Sequence, residues 1–226
     1  MRKRLKDIGI VIPAYNAEGT ILQVMDGLSS LGFDKEGIIV IDDGSSDRTY
    51  SLCRDWGAFV VRHFRNMGKG EAQKTGFRIC LKKGFSYILT LDADLQHSIE
   101  EIPKLLRSRE RGDIILGNRM GHIKGMPFLN RISNLLTSLV VSLFIKRRIR
   151  DSQCGFRLIR AEVLKDISLK TSHYQTESEL LIKAGQKGYR IVEVPITPLY
   201  QNSISYINPF WDTLRFILFS LRSLWR

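Results

Sequence analysis

The sequence predicts an α/β fold with a mainly parallel central sheet flanked by helices. Short β-rich apolar runs alternate with segments of helical periodicity, the runs lack polar alternation, and several end directly in a polar cluster. An apolar run without alternation is a strand covered on both faces, the condition that crossover helices impose on a parallel sheet. The runs are residues 8–12, 38–41, 59–61, 87–91 and 114–116, all expected to be buried on both faces.

Helical spacing covers residues 20–31, 47–56, 70–83 and 99–111. Ser46 or Asp47 suits the N-cap of the second, since a short polar side chain there accepts an orphan helix N–H. Beyond Gly117 the expected elements are a helix over 128–145 that ends in the basic run 146–150, a strand at 156–159, a helix over 177–187, a strand over 190–194 and a terminal helix after Pro209. The 128–145 stretch is a candidate membrane-facing insertion.

A chain of 226 residues suits one sizeable core, and a formal charge of +12 indicates anionic partners: nucleic acid, phosphorylated substrates or lipid headgroups. No basic motif studded with aromatics occurs, so nucleic acid is not an expected partner. Cys53, Cys80 and Cys154 are odd in number and widely spaced, which excludes a disulfide framework and suits a reducing compartment. The basic amino terminus is followed by too short an apolar run for a signal peptide. Residues 135–145, interrupted by Thr137, Ser138 and Ser142, fall short of the ~20 apolar residues that span a bilayer, so no crossing is expected. The expected division is a main domain over 1–208 and an amphipathic helix over 209–226. In the latter, Phe210, Trp211, Leu214, Leu218 and Trp225 alternate with Arg215, Arg222 and Arg226, a pattern that suits an anionic membrane surface or packing on the core.

Ligands of open parallel sheets bind at the carboxyl ends of the strands, which puts four polar clusters along one edge: Pro13 to Asn16 with Glu18, Asp42 to Asp47, Asn66 to Gly70, and Asp92 to His97. In an extended segment residues two apart point the same way, so Asp92, Asp94 and Gln96 would present oxygens together. Such hard donors suit Mg²⁺ or Mn²⁺, which would bridge the oxygens of a diphosphate leaving group; the alternative is a solvated turn. Asp42 and Asp43 are acceptors suited to a nucleobase or ribose, or the start of a plain capped turn. Asn66 to Gly70 has the glycines, helix start and Lys69 of a phosphate cradle, without P-loop spacing. His97 lies close enough to the acidic cluster to touch substrate or to neighbour a helix cap, whereas His63, His122 and His173 receive no role. Glu179 is expected to complement a helix dipole, and Glu177 to do that or to contact sugar.

Taken in order, Ile12-Pro-Ala-Tyr-Asn16, Asp42-Asp-Gly-Ser-Ser-Asp-Arg-Thr49, Asn66 to Gly70 and Asp92 to His97 resemble the family 2 glycosyltransferases. Gly117-Asn-Arg119, Arg131, Asp151-Ser-Gln-Cys-Gly-Phe156 and Val194-Pro-Ile196 resemble the polyprenyl (dolichyl) phosphate mannose and glucose synthases within it. The resemblance implies a GT-A (Rossmann-like) fold and an inverting transfer of mannose or glucose from a GDP- or UDP-sugar to a polyprenyl phosphate. It implies that Asp94 and Gln96 hold the metal, Asp92 supports metal and sugar, and Pro13, Tyr15 and Asp42 or Asp43 hold the nucleoside. Arg119 and Arg131 would grip the acceptor phosphate, making Asp94, Asp92 and Arg119 the catalytic set. Lys69 and Glu18 complete the expected substrate contacts, Glu18 lying one residue beyond the family's usual Glu, where this chain has Ala17. The implied setting is the cytoplasmic face of a membrane, held peripherally or through a separate membrane protein. Two other readings stay open: a family 2 enzyme that glycosylates a saccharide hydroxyl with the help of a base, and a membrane-peripheral module that binds nucleotide-sugar without turnover.

Overall fold

The computed structural model describes residues 5–122, 125–173 and 175–199. In chain order the elements are β1 (Ile8–Ala14), α1 (Ile21–Ser30), β2 (Ile38–Asp42), α2 (Thr49–Trp56), β3 (Phe59–Arg62), α3 (Lys69–Lys82), β4 (Tyr87–Thr90), α4 (Ile102–Arg107), β5 (Ile114–Asn118), α5 (Phe128–Ile145), β6 (Arg157–Arg160), α6 (Ala161–Asp166), α7 (Gln175–Gln186) and β7 (Ile191–Pro195). The strands form one sheet in the order β3-β2-β1-β4-β6-β5-β7. All neighbours are parallel except β6, which runs against both β4 and β5. The mainly parallel sheet expected from the apolar runs is therefore present, with β6 as an antiparallel member.

The core follows from the sequence pattern. Ile10 to Ile12 and Ile38 to Ile41 are fully covered, and α1 buries Ile21, Val24, Met25 and Leu28, spaced to make one helix face. Pro13 sits in a central strand without loss: β1 pairs with β2 as far as Ala14↔Asp42 but with β4 only as far as Val11↔Thr90. The missing N–H falls where the ladder has parted. There β1 has β2 on one side and β4 on the other, which is the topological switch point where such sheets open a crevice.

Several expectations require correction. Residues 59–61 form β3, but as an edge strand with Phe59 41% exposed, because apolar composition cannot distinguish a central strand from a lateral one. The expected helix over 99–111 is a 3-10 turn, the short α4 and a second 3-10 turn. Pro103 is the reason: it lacks the N–H that a longer helix would need for Ile99, whereas the first turn of α4 leaves that position unused. Helix α2 begins at Thr49 with Arg48 before it; Asp47 still accepts the Thr49 N–H at 2.9 Å. Helix α6 was not anticipated. Strand β6 is antiparallel because it starts beside the end of β5: Gly117 N–H donates to Phe156 O and Arg119 N–H to Asp151.

Helix α5 has the expected bounds and an inverted character. Its covered residues are Ser133, Asn134, Thr137, Ser138 and Val141, while Phe128, Leu129, Ile132, Leu135, Leu136, Leu139 and Leu143 are exposed. A helix on a soluble surface shows the opposite distribution. Among the described residues α5 is the one helix long and apolar enough to cross a membrane by length and composition. One flank is nevertheless sealed to the domain through α7 and the 150–153 turn, which leaves a single face open to another phase. Residues 209–226 lie outside the described residues.

Cys53, Cys80 and Cys154 are free and buried. Burial pushes each thiol up to about 12, so almost none is thiolate at neutral pH. The native protein should leave a thiol reagent unconsumed over minutes and react fully only in denaturant; rapid titration of the native chain would contradict this packing.

Candidate active site

Side-chain bonds join the four strand-end loops in sequence. Asn16 N–H donates to Ser45 Oγ at 2.9 Å, Asn16 Oδ1 accepts Ser46 N–H at 2.9 Å, and Ala17 N–H donates to Thr49 Oγ1 at 2.8 Å. Asp43, 3% exposed, accepts the N–H groups of Met67 and Gly68 at 3.0 and 2.8 Å and pairs with His63 at 2.6 Å. Lys69 Nζ then reaches Asp92 Oδ1 at 2.7 Å. Each loop is thus held by the one beside it, around the crevice between β1 and β4.

The acidic segment achieves its convergence differently from the sequence expectation. Residues 92–96 are not extended: β4 ends at Thr90, and Leu95 adopts a left-handed conformation at φ 60°. Asp94 Oδ1 accepts the Gln96 N–H at 3.0 Å, closing an Asx turn. A leucine in this conformation costs about 1–2 kcal/mol, and the surrounding packing holds it there. The turn, and not a two-residue strand period, ties Asp94 to the Gln96 backbone and leaves its carboxyl within reach of the Asp92 charge.

Burial alone would raise the Asp92 carboxyl, but the Lys69 ammonium and His97 outweigh it and hold the group well below the usual carboxylate range. Burial and the Asp92 charge push Asp94 up. A divalent cation would relieve that repulsion, and two carboxylates with an amide oxygen are donors of the right hardness. Among the described residues no three His, Cys, Asp or Glu form a complete metal cluster. This partial set suits Mg²⁺ or Mn²⁺, which commonly bind one or two carboxylates and take their other ligands from water and substrate phosphates.

Lys69 and the glycines beside it receive a new explanation. Lys69 Nζ bridges Asp92 and Glu177 Oε1 at 2.9 Å, and Gln73 Nε2 donates to the same Glu177 oxygen at 3.1 Å. A Cβ on Gly70 would collide with Thr176 Oγ1 and lie 2.7 Å from His173 O. The loop's closeness is therefore to the chain's own Ser172, His173 and Thr176, and the charge of Lys69 serves two carboxylates. Gly155 is the counterpart across the site, because its Cβ would lie 2.8 Å from Asp92 Oδ2 and 3.1 Å from Glu177 Oε1. His97 stacks on Phe156 at 5.3 Å and approaches Asp92 Oδ2 at 3.5 Å.

The remaining expected residues are placed as follows. Pro13 is half-buried at the switch point and Tyr15 is 39% exposed on the loop after it. Glu18 is committed to the neighbouring loop, accepting Arg48 N–H at 3.1 Å and pairing with its guanidinium at 3.2 Å. Asp42, fully buried, accepts Ser45 N–H at 3.0 Å and pairs with Arg62 at 3.1 Å. Arg119 is clasped by Asp151 at 2.8 and 2.9 Å, and Arg131 is exposed on the first turn of α5. The roles of Glu177, Gln73, His63 and Asp151 were not legible in advance, although Gly155 and Asp151 lie in a motif that stood out. Glu179 is not a dipole complement: it is 1% exposed and accepts the N–H groups of Lys170 and Thr171 at 2.9 Å, pinning the turn before α7.

The mostly parallel sheet with an acidic turn at its switch point matches the GT-A glycosyltransferase fold. The crystal structure of glucosyl-3-phosphoglycerate synthase from Mycobacterium tuberculosis with Mn²⁺, uridine diphosphate and phosphoglyceric acid superposes with a TM-score of 0.76 at 22% identity, covering 98% of this chain and 81% of that one. Residues 9–168 match the family described as Glycosyl transferase family 2, and the chain belongs to that family. It is similar to the UDP-N-acetylglucosamine–dolichyl-phosphate N-acetylglucosaminyltransferase of Methanococcus voltae, at 31% identity over 86% of each chain. It is also similar to the dolichyl-phosphate hexose transferase of Haloferax volcanii, at 31% identity over 90% of this chain and 88% of the relative.

Proposed function

We propose that this chain is a metal-dependent, inverting transferase that moves mannose or glucose from a GDP- or UDP-sugar to a polyprenyl phosphate, working peripherally at the cytoplasmic face of a membrane. In this reading Asp94, Gln96 and Asp92 would hold Mg²⁺ or Mn²⁺, which when bound neutralises charge on the departing diphosphate. Pro13, Tyr15 and the Asp42/Asp43 loop border the nucleoside. A phosphate oxygen of the acceptor attacks the anomeric carbon as the bond to the β-phosphate breaks, and the electron pair leaves with the nucleoside diphosphate. A phosphate monoester has its second pKa near ~6 and is already ionised, so no base is required. Glu177, the carboxylate that shares Lys69 with Asp92, is paired with that ammonium and accepts a hydrogen bond from Gln73. Arg119 and Arg131 are suited to offset repulsion between two anionic substrates.

The observation that carries the reading is the outward face of α5. Seven exposed large apolar side chains share a helix with Arg131, and the exposed basic residues Lys146, Arg147, Arg148 and Arg150 follow its end. Such a face suits an anionic lipid surface, and it would bring a lipid phosphate to the arginines. Incubation of the protein with labelled GDP-mannose or UDP-glucose and polyprenyl phosphate in anionic vesicles should give a metal-dependent product extractable into organic solvent. A water-soluble product would defeat the proposal. Leu135→Glu combined with Leu139→Glu should reduce vesicle cosedimentation about tenfold while leaving the circular dichroism spectrum unchanged, because both side chains are exposed.

A further inference from the structure

Asp151 is wholly buried and makes an unusually complete set of contacts. It accepts the Arg119 backbone N–H at 2.9 Å, Arg119 Nε at 2.8 Å on the same oxygen, and Arg119 Nη2 at 2.9 Å on the other. Asn134 Nδ2, from the covered face of α5, donates to that second oxygen at 3.0 Å. The backbone around Asp151 is fixed independently: Glu193 Oε1, from β7, accepts the N–H groups of Arg150 and Asp151 at 2.9 and 3.1 Å, and Ser152 N–H donates to Ser138 Oγ at 2.9 Å. Burial would raise the Asp151 carboxyl, but the Arg119 guanidinium outweighs it and holds the group below its usual range, so it remains an anion.

A guanidinium is a rigid planar fork, and a carboxylate that takes its Nε/Nη2 edge fixes the plane in which the remaining N–H groups point. Nothing in simple stability requires this arrangement, since a buried ion pair is commonly no better than well-packed apolar side chains. Its evident product is direction: the carboxylate that clasps the arginine is itself held from α5 and, through its backbone, from β7.

We infer that Asp151, braced by Asn134, is a positioning residue that aims Arg119 at the acceptor phosphate and ties that aim to the seating of α5. The inference rests on the reading that Arg119 contacts the acceptor. The helix whose outer face suits lipid supplies, from its inner face, the amide that holds the arginine's carboxylate. Seating of the helix and affinity for the lipid phosphate are therefore parts of one rigid connection.

The test is steady-state kinetics on Asp151→Asn and Asn134→Ala with polyprenyl phosphate in detergent micelles, varying donor and acceptor separately. Asp151→Asn should raise the acceptor KM about tenfold, with kcat at saturating lipid and the donor KM both within about twofold of the parent. Asn134→Ala, which leaves the ion pair in place, should raise the same constant by a smaller factor, about threefold. It also keeps the test alive if the charge-neutral variant does not fold. Equal changes in donor and acceptor KM, or an unchanged acceptor KM in a folded variant, would overturn the positioning role while leaving the transferase reading intact. A parent protein that gives no lipid product would overturn both.

Discussion

Asp94→Ala is expected to lower kcat/KM for sugar transfer about a thousandfold or more, because the ion that would stabilise the departing diphosphate loses an anionic ligand. Asp94 Oδ1 accepts one backbone N–H, from Gln96, and its side chain is raised by burial and by Asp92 rather than neutralised by a basic partner. Removing it also opens the turn at Leu95, and the unfolding measurement separates that loss from loss of the ligand. The check is transfer of labelled sugar across a titration of Mn²⁺, with thermal unfolding measured in parallel. Transfer at the parent rate in a folded Asp94→Ala protein would defeat the metal assignment.

Lys69→Met is expected to act on both stability and activity. It removes the ammonium shared by Asp92 and Glu177, whose side chains are 23% and 5% exposed. Breaking a buried pair costs about 3–5 kcal/mol, and the contacts of Gln73 to Glu177 and His97 to Asp92, with the partial exposure of Asp92, reduce this to roughly 2–3 kcal/mol. Urea unfolding should show the loss as a lowered midpoint with an unchanged slope. The pH dependence has a definite sign. Lys69 depresses the Asp92 carboxyl, so its removal raises that pKa, and the acid limb of activity should move to higher pH. An acid limb that stays in place would show that Lys69 does not govern the ionisation of Asp92.

Much of this fold is legible in one sequence because burial leaves a local mark. The Ile and Val runs of β1 and β2, the helical spacing of α1 and the full extent of α5 are properties of neighbouring residues, and all were located within a residue or two. The acidic, Gly-Lys-Gly and Asp-Asp-Gly clusters are legible for the same reason, since each closes a strand. Edge position is a property of the sheet and not of the strand, which is why the apolar run from Phe59 to Val61 reads as covered on both faces although β3 lies at the edge. Partners distant in sequence leave no local mark either. Lys69 meets Glu177 and Arg119 meets Asp151 only after the sheet has closed, and Gly70 is small because of a segment more than a hundred residues away.

The α/β class, the family and the oxygen-bearing clusters at the strand ends follow from the order of residues alone, because periodicity and strand-end chemistry are short-range. The folded chain set how those oxygens are presented, through a left-handed turn at Leu95, and which charges Lys69 and Arg119 answer. It also decided that α5 turns its serines, threonine and asparagine inward and its leucines outward. The spacing of a helix marks two faces, but which one is covered depends on what the rest of the chain places against it.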